Sequence, residues 1–426
     1  MPHIPFGTKI RTSLLAAGSA LVLLSGLTGA AAASAAAAVP PKPISILLDG
    51  FPLPFPAAPF VTQGTTMVPF RAIAEALNIQ VVWSAQAHTV TATKSRDGET
   101  TTVVLRQNDK KAAVNGQQQL LRVAPTSKSG SVFVPLGFFS SQFGAAVNWD
   151  GAAQTVSITS PAEPMYSEAF YAISSYKEVG LVRKFNAVSF GWTRIDETGN
   201  LTLEGKDFFW PEAAGDVTPE SIVQDAADAG GKPNLMAVAT DGKGELTKLL
   251  QDAALQASVI EQLVTLATDN HFSGITLDFE GLGLSGDLPA IQQSFTAFVK
   301  KLDQRAQAAN LKLTLALHPL NSSYRGYDYK QLSAYADEII IMAYEYSYES
   351  GPEPLNRIDE AIRLAVNAVP KSKLVLGISM GSETDLTVAG KIGLAKRYGL
   401  KGVAFWRLGL MGEKTMSAIG KSIELP

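Results

Sequence analysis

Two carboxylates stand two residues apart in Gly274-Ile275-Thr276-Leu277-Asp278-Phe279-Glu280. On an extended strand the period of two puts Gly274, Thr276, Asp278 and Glu280 on one face and Ile275, Leu277 and Phe279 on the other. Walled by apolar neighbours, two charges are costly unless one carboxyl is protonated or both are hydrogen-bonded. A carboxyl kept protonated near neutral pH is what a general acid requires, so the pattern points to acid catalysis. A buried pair held for shape alone is the alternative.

The strand has seven counterparts. Short β-branched, apolar runs recur at 169–174, 187–192, 234–240, Gly274–Glu280, 312–318, 338–344, 373–379 and 402–408, and helical patterns alternate with them. Eight such units over about 260 residues predict an α/β fold, a (β/α)8 TIM barrel, over residues 167–426. An open doubly wound sheet is the competing reading, but no glycine-rich phosphate loop follows the first strand. Barrel chemistry gathers at the carboxyl ends of the strands. Those ends carry Trp192, Asp241, Asp278 with Glu280, His318, Met342 with Tyr344 and Glu345, and Trp406. Aromatic faces and carboxylate acceptors suit a carbohydrate, whose rings stack while its hydroxyls donate. Phe208, Phe209 and Trp210, with Tyr346 and Tyr348, stand in expected loops at the same end.

This second segment resembles family 18 glycoside hydrolases. The signature strand of that family, Asp-x-x-Asp-x-Asp-x-Glu with glycine after the first Asp, is matched at Gly274, Asp278 and Glu280. Met342-Ala343-Tyr344-Glu345 and Phe405-Trp406-Arg407-Leu408-Gly409 match further along, in the family's order. The resemblance implies substrate-assisted cleavage of β-1,4 bonds after an N-acetylated sugar, without a cofactor. Glu280 would be the acid/base, Asp278 would orient the acetamido group, and Tyr344 would bond its oxygen. Trp406 would floor the sugar, and Thr276, Met342, Glu345, Trp192 and Tyr346 would complete the substrate contacts.

Ser273 and Thr276 stand where most members have Asp, and Glu345 follows Tyr344 where Asp is commoner. These departures resemble the branch of spore-cortex and cell-wall N-acetylglucosaminidases, which favours peptidoglycan over chitin as the partner polysaccharide. Between residues 379 and 402 there is room for a helix and little else, so the chitinase insertion domain is not expected and the groove should be open. A barrel that binds such glycans without cutting them, as a wall or spore-surface lectin, is the alternative, and a structural stalk protein a further one.

The amino-terminal third differs. Lys9 and Arg11 precede an apolar run over 14–27 and a small-residue tract over 30–38, the pattern of a secretory signal peptide spanning residues 1–38, with cleavage after Ala35 or Ala38. An uncleaved anchor is the alternative; either way the remainder is expected outside the cytoplasm, secreted or wall-associated. Residues 44–159 repeat internally: Asp49-Gly50, Val68-Pro69, Trp83 and Thr89-Val90 recur as Asn115-Gly116, Val134-Pro135, Trp149 and Thr155-Val156. Each copy reads as a small α+β unit with its Trp packed beneath a helix, sugar stacking being the other role open to the pair. The repeat resembles the copper amine oxidase amino-terminal domain, which implies a stalk or wall-associated spacer; no copper ligands stand in it. Residues 160–166, with two prolines, read as a linker.

Composition narrows the remainder. The 426 residues are 46% hydrophobic and 18% charged, with a formal charge of −3 and no dense basic block after the first dozen residues, so nucleic acid is not an expected partner. Without cysteine there is no disulfide or thiolate site, and the four histidines show no metal-ligand spacing and read as polar fillers, so no metal is expected.

Overall fold

The structure, a computed structural model, describes residues 43–96, 98–346 and 351–426. The expected signal peptide and Tyr348 lie outside the described residues.

In the amino-terminal domain the two copies meet strand to strand. Thr65–Pro69 pairs antiparallel with Ser131–Pro135, Val68 lying opposite Val134, its own counterpart in the repeat. That pairing places a pseudo-twofold between the copies. Each strand runs directly into a short helix, Phe70–Ala76 or Leu136–Gln142. The copies also interlock, since Ser45–Leu48 of the first pairs with Thr155–Thr159 of the second. The paired turns explain the repeat's punctuation. Asp49-Gly50 (φ 51° and 82°) and Asn115-Gly116 (49° and 80°) are left-handed at both positions, as two-residue hairpins that follow strand twist require. Gln63-Gly64 and Ser129-Gly130 repeat the device. The expectation that both tryptophans are core is corrected for Trp149, which is 44% exposed. Its strand, Ala146–Asp150, is a sheet edge exposed along its whole length, and Phe139 and Phe143 fill the space by the helix. Trp83 is half-buried.

The second domain is a closed barrel of eight parallel strands: β1 Tyr166–Tyr171, β2 Ala187–Ile195, β3 Lys232–Thr240, β4 Gly274–Glu280, β5 Lys312–Leu317, β6 Glu338–Ile341, β7 Leu374–Ser379 and β8 Gly402–Trp406. Closure is made by β1, which pairs with both β2 and β8. Strand alternation divides the apolar residues in two. Ile275, Leu277 and Phe279 face a shell under the helices, whereas Phe170, Met236, Ala316, Ile340, Val375 and Ala404 fill the lumen. At β4 the first lumen position must be glycine, because a Cβ on Gly274 would stand 2.7 Å from the Lys312 carbonyl oxygen and 2.8 Å from the Asn234 side chain.

Residues 43–426 form one compact unit. Within it Asp49 accepts hydrogen bonds from the Ser160 amide and hydroxyl, both at 2.8 Å, and lies against Gly393 of the helix Val388–Tyr398. Lys396 of that helix donates to Ser160 Oγ at 2.6 Å and to the Ser422 carbonyl at 3.2 Å, and Asn78 donates to the Lys396 carbonyl at 2.9 Å. Within residues 160–166, Glu163–Pro164 pairs in parallel with Ile423–Glu424 beside the barrel.

Candidate active site

β4 delivers Asp278 and Glu280 on the lumen side, beside Val238 and Thr240 of β3. Glu280 is half-buried at the mouth, and Asp278 below it is 4% exposed with Oδ1 unbonded among the described residues. Tyr344 follows β6 and Trp406 ends β8; both border the lumen cluster that includes Met342. A side chain at Gly377 of β7 would be 3.0 Å from Tyr344 Cε1, so glycine there gives the ring its place. Trp406 is half-buried, edge to face with Phe170 at 5.2 Å and 6.3 Å from Phe208. The peptide bond after it, to Arg407, is cis.

Beneath the carboxylates lies a polar floor. Thr276 Oγ1 is 2.7 Å from Ser189 Oγ, which donates to Glu168 at 2.6 Å, and Tyr166 donates to the same carboxyl at 3.1 Å. Glu168 is fully buried, and burial, reinforced by the nearby Glu338 charge, lifts its carboxyl to about 7. Glu338 is itself paired with Lys401. A separate buried chain holds the loop after β6. Lys391 pairs with Glu383 at 2.6 Å, Glu383 accepts from the Glu353 amide at 2.8 Å, and Glu353 accepts from the Glu345 amide at 2.7 Å. Glu345 is left-handed (φ 53°), a conformation that costs a non-glycine residue energy and is held by such contacts.

The electrostatics separate the groups into roles. Burial, and then the Glu345 charge, raise the Glu280 carboxyl to about 7. Burial and the Glu280 charge push Asp278 well above the carboxylate range. Tyr344 is held firmly neutral by burial and by the neighbouring carboxylates. Near neutrality the site therefore offers a proton on a carboxyl that reaches solvent, with a neutral phenol across from it.

His318, expected as a polar filler, ends β5 with Nε2 3.3 Å from Glu280 Oε2 and its ring stacked on Tyr324 at 4.3 Å. Burial lowers it to about 4, so it meets Glu280 uncharged. Its place at a strand end was the available signal. Phe208 also joins the site, beside Trp406.

Three expected substrate contacts are placed elsewhere. Trp192 is 3% exposed in the shell outside the barrel, packed on Trp210 at 5.3 Å and Phe190 at 4.8 Å. Parity decides this: Ser189 points inward to Thr276, so Trp192, three residues on, points outward. Thr276 is fully buried in the floor, out of a sugar's reach. Tyr346 packs on the shell half-buried, with the Arg357 guanidinium 4.2 Å over one face of its ring.

Residues 47–158 match the Copper amine oxidase N-terminal domain and residues 235–388 match Glycosyl hydrolases family 18. YdhD of Bacillus subtilis is 28% identical over 141 residues, 31% of this chain and 32% of that protein. The Cortical fragment-lytic enzyme of Bacillus subtilis is 25% identical over 139 residues, 30% of this chain and 31% of that one. The chain thus spans about a third of the length of these curated relatives. The spore cortex-lytic enzyme SleL of Bacillus megaterium superposes with a TM-score of 0.51 at 16% identity, over 62% of this chain and 75% of that structure, and shares the fold. The barrel therefore carries a glycosyl hydrolase family 18 match over residues 235–388, behind a copper amine oxidase N-terminal domain match over residues 47–158.

Proposed function

We propose that the protein is a secreted or wall-associated glycosidase that cleaves β-1,4 bonds of N-acetylglucosamine-containing glycans, peptidoglycan in preference to chitin. The observation that carries this reading is the pairing on β4 of a buried Asp278 with a half-open Glu280 whose carboxyl is lifted to about 7. Glu280 protonates the glycosidic oxygen while the substrate's own acetamido oxygen attacks C1, so the leaving sugar departs with the proton. Asp278 orients the acetamido group, and Tyr344 donates to the acetamido oxygen. Water activated by Glu280 then opens the ring and restores the acid. Trp406, held by Phe170 and Phe208, presents an apolar face to the sugar.

Two features favour peptidoglycan. The β7 to β8 connection holds the helix Val388–Tyr398 and no further domain, which leaves the groove without a wall on that side. The relatives include a cortical fragment-lytic enzyme.

Purified protein assayed on peptidoglycan, chitin oligosaccharides and a chromogenic N-acetylglucosaminide, beside Glu280→Gln, tests the reading. The amide keeps shape and removes the transferable proton, so turnover should fall by about 10²–10⁴ with glycan binding retained. Equal, negligible product from wild type and variant, with both binding glycan, would establish the lectin reading instead.

A further inference from the structure

A cavity of about 720 Å³ opens on the β3 to β5 side of Glu280. Glu280 itself forms part of its wall, whereas Asp278, Tyr344 and Trp406 do not line it. The acid therefore stands between two spaces, the lumen mouth with Trp406 and this cavity. The bond it protonates must join the sugar in one to the sugar in the other.

The cavity is shaped before any ligand arrives. Loops after β4 and β5 meet at Gly283 and Gly326, where a Cβ on Gly283 would lie 2.3 Å from the Gly326 nitrogen. The Gly326 amide donates to the Leu282 carbonyl at 3.1 Å, and the Tyr327 hydroxyl donates to the Phe279 carbonyl at 2.8 Å. Tyr324, stacked on His318, supplies an aromatic side to the wall, and Leu284, 63% exposed, an apolar one.

Its charge has one sign. Asp241 and Asp287 line it beside Glu280, which is protonated in the acting form, and no Lys or Arg stands among the described lining residues. The remaining titratable group of basic type, His318, is uncharged near neutrality because burial lowers it to about 4. Asp241 and Asp287 are fixed in place by capping bonds: Asp241 accepts from the Thr247 amide and hydroxyl at 2.8 and 2.7 Å, and Asp287 accepts from the Ala290 amide at 3.2 Å. An anionic ligand here would meet negative charge without a counter-ion.

We propose that this cavity receives the leaving-group sugar and selects by charge, taking an N-acetylhexosamine whose substituents are uncharged and disfavouring one that carries a free carboxylate. A muramic residue would be accepted with its lactyl carboxyl capped as an amide and resisted with that carboxyl free. The inference rests on the glycosidase reading and adds which side of the scissile bond is discriminating.

The test uses the full chain and two oligosaccharides that share a non-reducing N-acetylglucosamine and differ in the next residue, N-acetylglucosamine or N-acetylmuramic acid with its carboxyl free. The wild type should cleave the neutral substrate with kcat/KM about tenfold higher. Asp241→Asn and Asp287→Asn, which each keep one oxygen to accept the helix amide and lose the charge, should each narrow that ratio about threefold, and added salt should narrow it in the wild type. An unchanged ratio in both variants, or equal cleavage of the two substrates by the wild type, overturns the proposal. Should neither substrate be cleaved, the glycosidase reading fails on its own. The same ratio, taken from dissociation constants of the Glu280→Gln protein with and without Asp241→Asn, then decides the cavity's selectivity.

Discussion

Lys391→Met isolates the buried chain that anchors the loop carrying Tyr344 and Glu345. The Lys391 and Glu383 side chains are 5% and 1% exposed, and the ion pair spans 2.6 Å. Removing the ammonium leaves Glu383 without its counter-charge in a place water does not reach, a change that costs about 3–5 kcal/mol. At roughly 2 °C per kcal/mol for a chain of this size, the unfolding midpoint should drop by about 6–10 °C. Glu383 also accepts from the Glu353 amide, and Glu353 from the Glu345 amide, so the damage should reach the site. kcat should fall by more than KM rises if Tyr344 acts on the reacting acetamide as proposed. In the double variant Lys391→Met/Glu383→Gln the amide oxygen still accepts the Glu353 N–H while the uncompensated charge is gone. Most of the lost stability should return. Urea and thermal unfolding of the wild type, both singles and the double form the cycle. A loss under about 1 kcal/mol for Lys391→Met, or a double variant no more stable than that single, would refute the reasoning.

Four further outcomes are expected. The pH–rate profile should lose activity as pH rises through about 7, where Glu280 gives up its proton, and an alkaline limb that survives in a variant lacking the Glu345 charge should move to lower pH, since that charge helps raise Glu280. Glu168 has an ordinary value of 4.5 and a folded value of about 7; its native form holds the proton more tightly, so the stability it contributes is complete below about 4.5 and lost as pH rises through 7. Glu168→Gln should accordingly flatten that decline by about 3 kcal/mol in urea unfolding across the interval. Trp192→Ala should destabilise by about 3–5 kcal/mol, whereas Trp406→Ala should mainly raise KM, a contrast read by thermal unfolding beside kinetics. Gly393→Ala would place a methyl 2.3 Å from Asp49 Cβ, and calorimetry should show a loss of about 1–3 kcal/mol at the seam between the two domains.

The chemistry-bearing strand was legible because local pattern sufficed. Alternation on Gly274–Glu280 put both carboxylates on one face, the recurrence of apolar runs gave eight strands, and the repeated Asx-Gly pairs marked two hairpin copies. Those features depend on contacts a few residues apart. What stayed hidden depends on what arrives from far along the chain. Trp192 and Trp149 share a residue type with Trp406 and even a strand setting, yet one is sealed against Trp210 and Phe272, and one lies bare on an edge. Parity against a neighbouring strand and position within a sheet made that choice, and neither is written in local composition. His318 gained its place beside Glu280 only when β5 lay against β4. The threonine at 276 could be read as a missing carboxylate; its bond through Ser189 to Glu168 required closure of the barrel, which brings β1, β2 and β4 around one lumen. Residue types and spacing determined which groups could transfer a proton. Burial and the approach of distant charges, which exist only after folding, decided which carboxyl holds one near neutral pH.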